Sequence, residues 1–145
     1  MESKEVMSVM TELECELKAA CKLAVIQTEG IPNRAEILQT IKDKFVKGDP
    51  RAWWTSLNYP PQIHEFEGNT GYLHLEELMS SSDEDVWFIA DEDNEFMHLY
   101  EMPLKKAKDV IGACRYFEYY VVAKDLSWLM AENDHGKYPF TPQRA

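Results

Sequence analysis

The residues of this sequence that could bind an ion or carry out chemistry lie in two acidic stretches of its C-terminal half. In the first stretch, Asp91, Asp93 and Glu95 alternate like the first ligands of an EF-hand calcium loop. Such a loop requires glycine at its sixth position and glutamate at its twelfth, which are occupied here by Phe96 and Met102. The pattern therefore predicts an acidic hairpin tip and not a calcium site.

The second stretch centres on Glu118, a carboxylate between Phe117 and Tyr119 in a run typical of a buried strand. A carboxylate in such a position either pairs with a cation or can act as a general acid or base. In the second case His135 or Tyr120 would lie nearby and complete a site for acid–base chemistry. We favour the first case, an ion pair with a lysine or arginine, because structural ion pairs are commoner than catalytic acids.

The second stretch ends in a run of polar groups, Glu132-Asn133-Asp134-His135. Interpreted as structure, this run supplies hydrogen bonds to the C-terminus of a helix. Interpreted as function, it forms with Glu118 a polar site made of Glu118, Glu132, Asp134 and His135. That site would belong to a small enzyme or ligand-binding domain, which we keep as the alternative function.

Common motifs of catalysis and metal binding are missing from the sequence. The nucleophile elbow, the phosphate-binding loop and the dinucleotide-binding glycine pattern do not occur in it. The histidines lack the spacing of a zinc site; they are His64, His74, His98 and His135. The sequence therefore predicts no metal and no cofactor, and it favours a protein that is not an enzyme.

Charge is the strongest general property of the chain, which carries 26 acidic and 15 basic residues and a net charge of −11. Phosphate backbones would be repelled, so nucleic acid is not an expected partner. An acidic surface favours encounter with a basic partner, although many acidic proteins use their charge only to stay in solution. The charge therefore indicates a class of partner without identifying one.

The composition also predicts a soluble, cytoplasmic protein with a single domain, residues 1–145. Its apolar runs are too short to span a bilayer, so no membrane is expected as a partner, and its N-terminus has no apolar signal core. The cysteines, Cys15, Cys21 and Cys114, have no C-x-x-C spacing. Such usage is typical of thiols in a reducing compartment.

The elements that would position these residues begin with two helices. Apolar residues recur at three- and four-residue steps between Val6 and Thr28, which predicts an amphipathic helix of about 20 residues. Asn33 as N-cap, with Glu36 three residues later, predicts a capping box at the start of a second helix, which Gly48 ends. Their short connection predicts a helical hairpin laid on one side of a sheet.

The sheet is predicted from three apolar runs. Residues 86–90 and 96–101 are typical of a β-hairpin, and a lysine-bearing helix follows Pro103. Residues 116–122 have apolar side chains on both faces, which predicts an interior strand with a layer on each side.

A closing helix is expected from the spacing of Leu126, Leu129 and Met130, and residues 137–145 are expected to form a loosely paired tail. The predicted fold class is therefore α+β. It has a mainly antiparallel sheet of three to five strands, with an N-terminal helical hairpin and further helices packed on it.

Trp53 and Trp54 are adjacent and cannot share one face of a helix or strand. One interpretation is an aromatic contact patch, since tryptophan is enriched at interaction hot spots. The other, which we favour, is a packed turn in which one ring is buried and the other marks a boundary.

Several segments of the C-terminal part carry a resemblance to known proteins. They are Trp87-Phe88-Ile89, Tyr116-Phe117-Glu118-Tyr119-Tyr120, Lys124-Asp125-Leu126-Ser127-Trp128-Leu129 and Glu132-Asn133-Asp134-His135. With them the chain resembles a family of small acidic bacterial proteins that carries no assigned activity. The helices that lead into the W-F-I hairpin are similar to those of SUKH-type immunity proteins, which neutralise bacterial toxins by binding them.

We therefore predict a non-enzymatic protein-binding domain, an immunity-type protein that neutralises a basic toxin through an acidic surface. The expected contacts come from the hairpin tip and the tryptophan pair: Asp91, Glu92, Asp93, Glu95, Trp53 and Trp54. The alternative is the small enzyme or ligand-binding domain centred on Glu118 and His135. A third interpretation is a homodimer whose paired sheets or aromatic face serve only assembly.

Overall fold

The computed structural model describes residues 11–26, 31, 33–48, 50, 53–58, 62–65, 84–93, 96–114, 117–132 and 137–142. For residues 54, 62–65, 92, 93, 96 and 137–142 it describes the backbone alone. The helices within these ranges are α1 (Glu12–Leu23), α2 (Arg34–Phe45) and α3 (Leu104–Gly112), with a 3-10 turn at Trp53–Thr55. The strands are β1 (Gln62–Glu65), β2 (Asp85–Asp93), β3 (Phe96–Pro103), β4 (Glu118–Ala123), β5 (Trp128–Glu132) and β6 (Lys137–Pro142).

The six described strands form one sheet in the order β1-β6-β5-β4-β2-β3. Every neighbouring pair in it is antiparallel. The predicted α+β class with an antiparallel sheet is thereby confirmed. The sheet is larger than expected because β5 and β6 lie where the sequence predicts a closing helix and a loosely paired tail.

A tight turn after β4 explains why the expected closing helix does not form. Leu126 has a left-handed backbone with φ of 61°, and its N–H donates to the carbonyl of Ala123 at 2.9 Å. The Asp125 carboxylate accepts a hydrogen bond from the backbone N–H of Ser127 at 3.0 Å. These bonds reverse the chain, so that β5 runs back along β4 and completes its hydrogen bonding.

One face of the sheet, called face one here, is covered by α1 and α3. Leu17 of α1 and Val110 of α3 are fully buried in a cluster with Phe88, Tyr119 and Val121 of the sheet. The rings of Phe88 and Tyr119 stack with their centroids 5.6 Å apart. The amphipathic stripes predicted for these two helices therefore pack on the central strands.

The opposite face, called face two, is covered by α2 and the 3-10 turn. Ile41 and Phe45 of α2 are fully buried with Tyr120 and Leu129 of the sheet. Trp53 packs on Tyr120 with ring centroids 5.3 Å apart. The predicted N-terminal pair of helices exists, but its members lie on opposite faces instead of side by side. The central strands are apolar on both faces, and burying each large apolar side chain stabilises the fold by about 1.5–3 kcal/mol, so both faces require a cover.

The start of α2 differs from the predicted capping box. Asn33 occupies the N-cap position, as expected, but its backbone is left-handed with φ of 57° and its side chain makes no capping hydrogen bond. Asparagine tolerates this conformation better than most residues.

Among the described residues, no helix is long and apolar enough to cross a membrane.

Helix α1 ends in a Schellman motif with an unusual residue. The N–H of Ile26 donates to the carbonyl of Cys21 at 2.8 Å, and the N–H of Val25 donates to that of Lys22 at 3.1 Å. Val25 takes the left-handed position with φ of 59°, where glycine is usual, and its side chain is 83% exposed. The end of α1 therefore stores backbone strain that no packing of this side chain offsets.

The cysteines of α1 lie on different faces: Cys15 is exposed and Cys21 is buried. Burial raises the pKa of the Cys21 thiol to about 11. The half-buried Cys114 also has a pKa raised to about 11, by burial first and then by the charges of Glu16 and Cys21. Thiols with such high pKa values are poor nucleophiles near neutral pH.

Candidate functional site

The strand register brings the two acidic stretches to the same end of the sheet. Asp91, near the end of β2, lies directly opposite Glu118, the first residue of β4. Glu132, the last residue of β5, lies opposite Tyr119, the second residue of β4. We call this region the acidic end and define it by Asp91, Glu92, Asp93, Glu118 and Glu132.

The described carboxylates of the acidic end, those of Asp91, Glu118 and Glu132, lie on both faces of the sheet. Directly opposed residues of antiparallel strands project from the same face, so Asp91 and Glu118 share face two with Tyr120. Glu132 shares face one with Tyr119. The negative charges at the acidic end are therefore divided between the two faces and do not form one flat patch.

Burial differs among these carboxylates. Glu132 is 2% exposed and Asp91 is 8% exposed, and both have an oxygen that is sealed from solvent. Glu118 is half-buried. Burying a charged carboxylate, as at Asp91 and Glu132, is costly because the charge is removed from water. Such a group requires compensation by neighbouring polar groups or by a bound cation. Glu118 is the member of the described carboxylate set that is best placed to meet a partner.

A polar row crosses face one next to the acidic end. Along it, Glu132 of β5, Tyr119 of β4, Ala90 of β2 and His98 of β3 are successive neighbours. Glu132 and His98 are three strands apart, about 14 Å at the usual strand spacing, which is too far for direct proton transfer. The row therefore does not supply an acid–base pair from these two residues.

The alternative polar site is only partly within the described residues. Of its members, Glu118 and Glu132 project from opposite faces, so the sheet itself lies between their side chains. Asp134 and His135 lie outside the described residues. In the part of the chain that the structure describes, no cluster of three or more histidine, cysteine, aspartate or glutamate side chains is arranged to hold a metal ion.

The partner contacts expected from the sequence divide between surface and core. Trp53 is only 5% exposed and belongs to the core of face two, in agreement with the packed-turn interpretation. Asp91 is also buried, so neither residue presents much surface. Glu92 and Asp93 belong to β2, with a bulge in the pairing between Asp91 and Asp93. Glu95 and the side chain of Trp54 lie outside the described part.

Both acidic stretches could be found in the sequence, but it was not predicted that they lie side by side in the sheet. The signal was available in principle, because strand alternation places Glu118 on the same face as Tyr120 and Val122. The partner of Glu118 depends on the register of β4 against β2, and that register is set by packing across the whole sheet.

The fold and the site together define an α+β protein with helices on both faces of an antiparallel sheet and carboxylates gathered at one end of it. The chain belongs to DUF6756, a family of unknown function, whose model matches residues 7–144. The match spans both acidic stretches and agrees with the expected membership of an uncharacterised family. Comparisons with curated proteins and with solved structures find no match.

Proposed function

We propose that this protein is a non-enzymatic binding domain of the bacterial cytoplasm, and that its acidic end receives basic side chains of a protein partner. The observation that supports this proposal is the register that sets Asp91 opposite Glu118 and brings Glu132 to the same end of the sheet. A net charge of −11 on the whole chain would also speed encounter with a basic protein.

The pair of Asp91 and Glu118 suits a cation in particular. Like charges directly opposite each other on neighbouring strands destabilise a sheet. A lysine or arginine from a partner would pair with Glu118, the half-buried member of the two, and its positive charge would also lie close to Asp91. Arginine suits the position best, since its planar guanidinium can bond to two carboxylate oxygens at once.

At the finer level, we propose an immunity-type role in which the acidic end neutralises a basic toxin. This level rests on the resemblance to SUKH-type proteins and on the charge. A toxin whose active surface is basic would lose that surface when it binds an acidic partner, so the partner needs no chemistry of its own.

The first experiment measures binding of a synthetic lysine-rich peptide by titration calorimetry. The test variant combines Asp93→Asn with Glu118→Gln, and the matched control combines Asp43→Asn with Asp109→Asn. The control changes the net charge equally, at exposed carboxylates of α2 and α3. We expect the test variant to bind about tenfold more weakly and the control to bind nearly as well as the original protein. Equal losses in the two variants would show that only the net charge matters and would refute the acidic end as a site.

The second experiment addresses the immunity role. The protein encoded by the neighbouring reading frame is produced in bacteria with the original chain, the test variant or the control variant. Growth rescue by the original chain and the control, but not by the test variant, is the expected result. If no version improves growth, the toxin role is wrong for this pair, while the peptide titration still judges the acidic end on its own.

A further inference from the structure

A groove of about 380 Å³ lies at the end of the sheet opposite the acidic end, between α2 and the turn that joins β4 to β5. Its apolar walls come from Ile37 and Ile41 of α2, Trp87 of β2 and Leu126 of the turn. This volume falls within the range of small-molecule sites, which are typically lined by apolar and aromatic side chains with a few polar groups. We call it the Trp87 groove.

A positive charge is held inside the Trp87 groove. The ammonium nitrogen of Lys124 lies 4.3 Å from the centroid of the Trp87 ring, a cation–π distance. The same ammonium forms an ion pair with Glu101 of β3. Lysine has three N–H donors, and the Lys124 side chain is 37% exposed, so it can donate to a ligand without leaving either neighbour.

The groove also contains two backbone conformations that are rare for residues other than glycine. Asn33 and Leu126 both line it, and both have left-handed backbones, with φ of 57° and 61°. Such strain tends to occur at ligand clamps, because it persists only where the surrounding structure enforces it. The strained turn carries Lys124 and Leu126 together to the groove.

We propose that the Trp87 groove binds a small organic molecule with a planar apolar body and one carboxylate. The body packs against Ile37, Ile41 and Leu126 beside Trp87, and the carboxylate accepts hydrogen bonds from Lys124. An amine is a poorer match, because Lys124 already occupies the ring face of Trp87. A polyphosphate is also a poorer match, because Glu36 lines the groove, Glu101 lies beside Lys124 and the chain is strongly acidic.

Three probes of one shape and different charge test this proposal: 3-phenylpropionate, 3-phenylpropylamine and 3-phenylpropan-1-ol. Binding is followed by NMR through the indole N–H signal of Trp87, which is assigned with a Trp87→Phe variant. We expect 3-phenylpropionate to bind most tightly of the three. Tighter binding of the amine, equal binding of all three probes, or no shift of the Trp87 signal would each overturn the proposal.

Two variants locate the charge and the body of the probe. Lys124→Gln should weaken 3-phenylpropionate about fivefold and leave the alcohol unchanged, whereas the control Lys105→Gln, at an exposed lysine of α3, should change neither. Thr40→Phe places a ring in the groove from an exposed position and should abolish binding of all three probes. Unchanged binding in Lys124→Gln or in Thr40→Phe would overturn the proposal, provided that thermal unfolding shows each variant to be folded.

Discussion

The two ends of this sheet use the same antiparallel pairing to opposite electrostatic effect. At the acidic end, the register sets Asp91 opposite Glu118, and the two negative charges oppose each other on face two. At the groove end, the same strand β2 sets Trp87 opposite Glu101, and Lys124 lies between their side chains. In the proposed function the first arrangement receives a cation from a protein partner, whereas the second already contains the Lys124 ammonium.

This difference separates the ranges over which each end can act. Charges of one sign gathered at an edge attract an opposite charge from a distance, and salt screens that attraction over about 10 Å at 0.1 M and about 3 Å at 1 M. A nearly balanced set of charges around an aromatic ring acts only on contact. Binding of a basic peptide should therefore weaken strongly as salt rises, and binding of 3-phenylpropionate should weaken little.

The largest stability effect is expected at the groove end. Trp87 is half-buried beside the core of face two and carries the Lys124 ammonium on its ring. Truncating a fully buried tryptophan to alanine costs about 3–5 kcal/mol of stability. Because Trp87 is only half-buried, Trp87→Ala should lower the free energy of unfolding by about 2 kcal/mol. Urea unfolding followed by circular dichroism measures it. Trp87→Phe keeps a ring and should lose less than half as much; equal losses would show that the aromatic ring is not what matters.

The second effect compares strain at the groove with strain elsewhere. Val25→Gly relieves a left-handed valine whose side chain is exposed, so it should raise the free energy of unfolding by about 1 kcal/mol. Leu126→Gly relieves the same kind of strain but removes a groove wall, so its stability should change little.

The groove then distinguishes these two variants. Leu126→Gly should weaken 3-phenylpropionate by about fourfold, the equivalent of one buried methylene, and Val25→Gly should leave it unchanged. Equal affinities in the two variants would mean that the strained turn serves the fold alone. Thermal unfolding and the NMR titration supply both measurements.

Much of the fold could be predicted from periodicity, and the failures have local causes. Long apolar patterns predicted four elements that the structure contains: the helices α1 and α3 and the strands β2 and β4. In each of them the residues of the pattern are the ones that pack in the core. The strand β5 was missed because Leu129 and Met130 also fit a helical spacing with Leu126. Leucine is not a typical turn residue, so the sequence does not predict the left-handed backbone of Leu126 that reverses the chain.

The candidate sites were less predictable than the fold, for a different reason. The acids of the hairpin and of β4 are visible in the sequence, but their opposition depends on register. The groove joins Ile37, Trp87 and Lys124 from three distant segments, and no local pattern connects them. The composition therefore indicates that the protein is acidic. Only the register of the assembled sheet shows which charged residues lie next to each other.

The third effect tests the opposition of charges at the acidic end. Glu118→Gln removes one of two opposed carboxylates, so it should raise the free energy of unfolding by about 0.5 kcal/mol at neutral pH. Urea unfolding at neutral pH measures it. A loss of stability instead of a gain would favour the ion pair with a lysine or arginine that the sequence also allows.

The smallest effect depends on pH and comes from the groove end. Hydrogen bonds from the Ser127 hydroxyl and backbone N–H lower the pKa of Asp125 below its usual value of 3.8. A carboxyl group whose pKa is lowered by folding stabilises the fold above its unfolded pKa, and that stabilisation is lost as the pH falls through the lower, folded value. Asp125→Ala should therefore lower the unfolding temperature slightly at neutral pH.

Its difference from the original chain should disappear as the pH falls below the folded pKa of Asp125. Asp43→Ala, at an exposed carboxylate of α2, is the matched control. Acid would thus remove a stabilising contribution from the turn that carries Lys124 and Leu126. If Asp125→Ala and Glu118→Gln instead change stability in the same direction at neutral pH, the two ends do not differ in the way that their registers indicate.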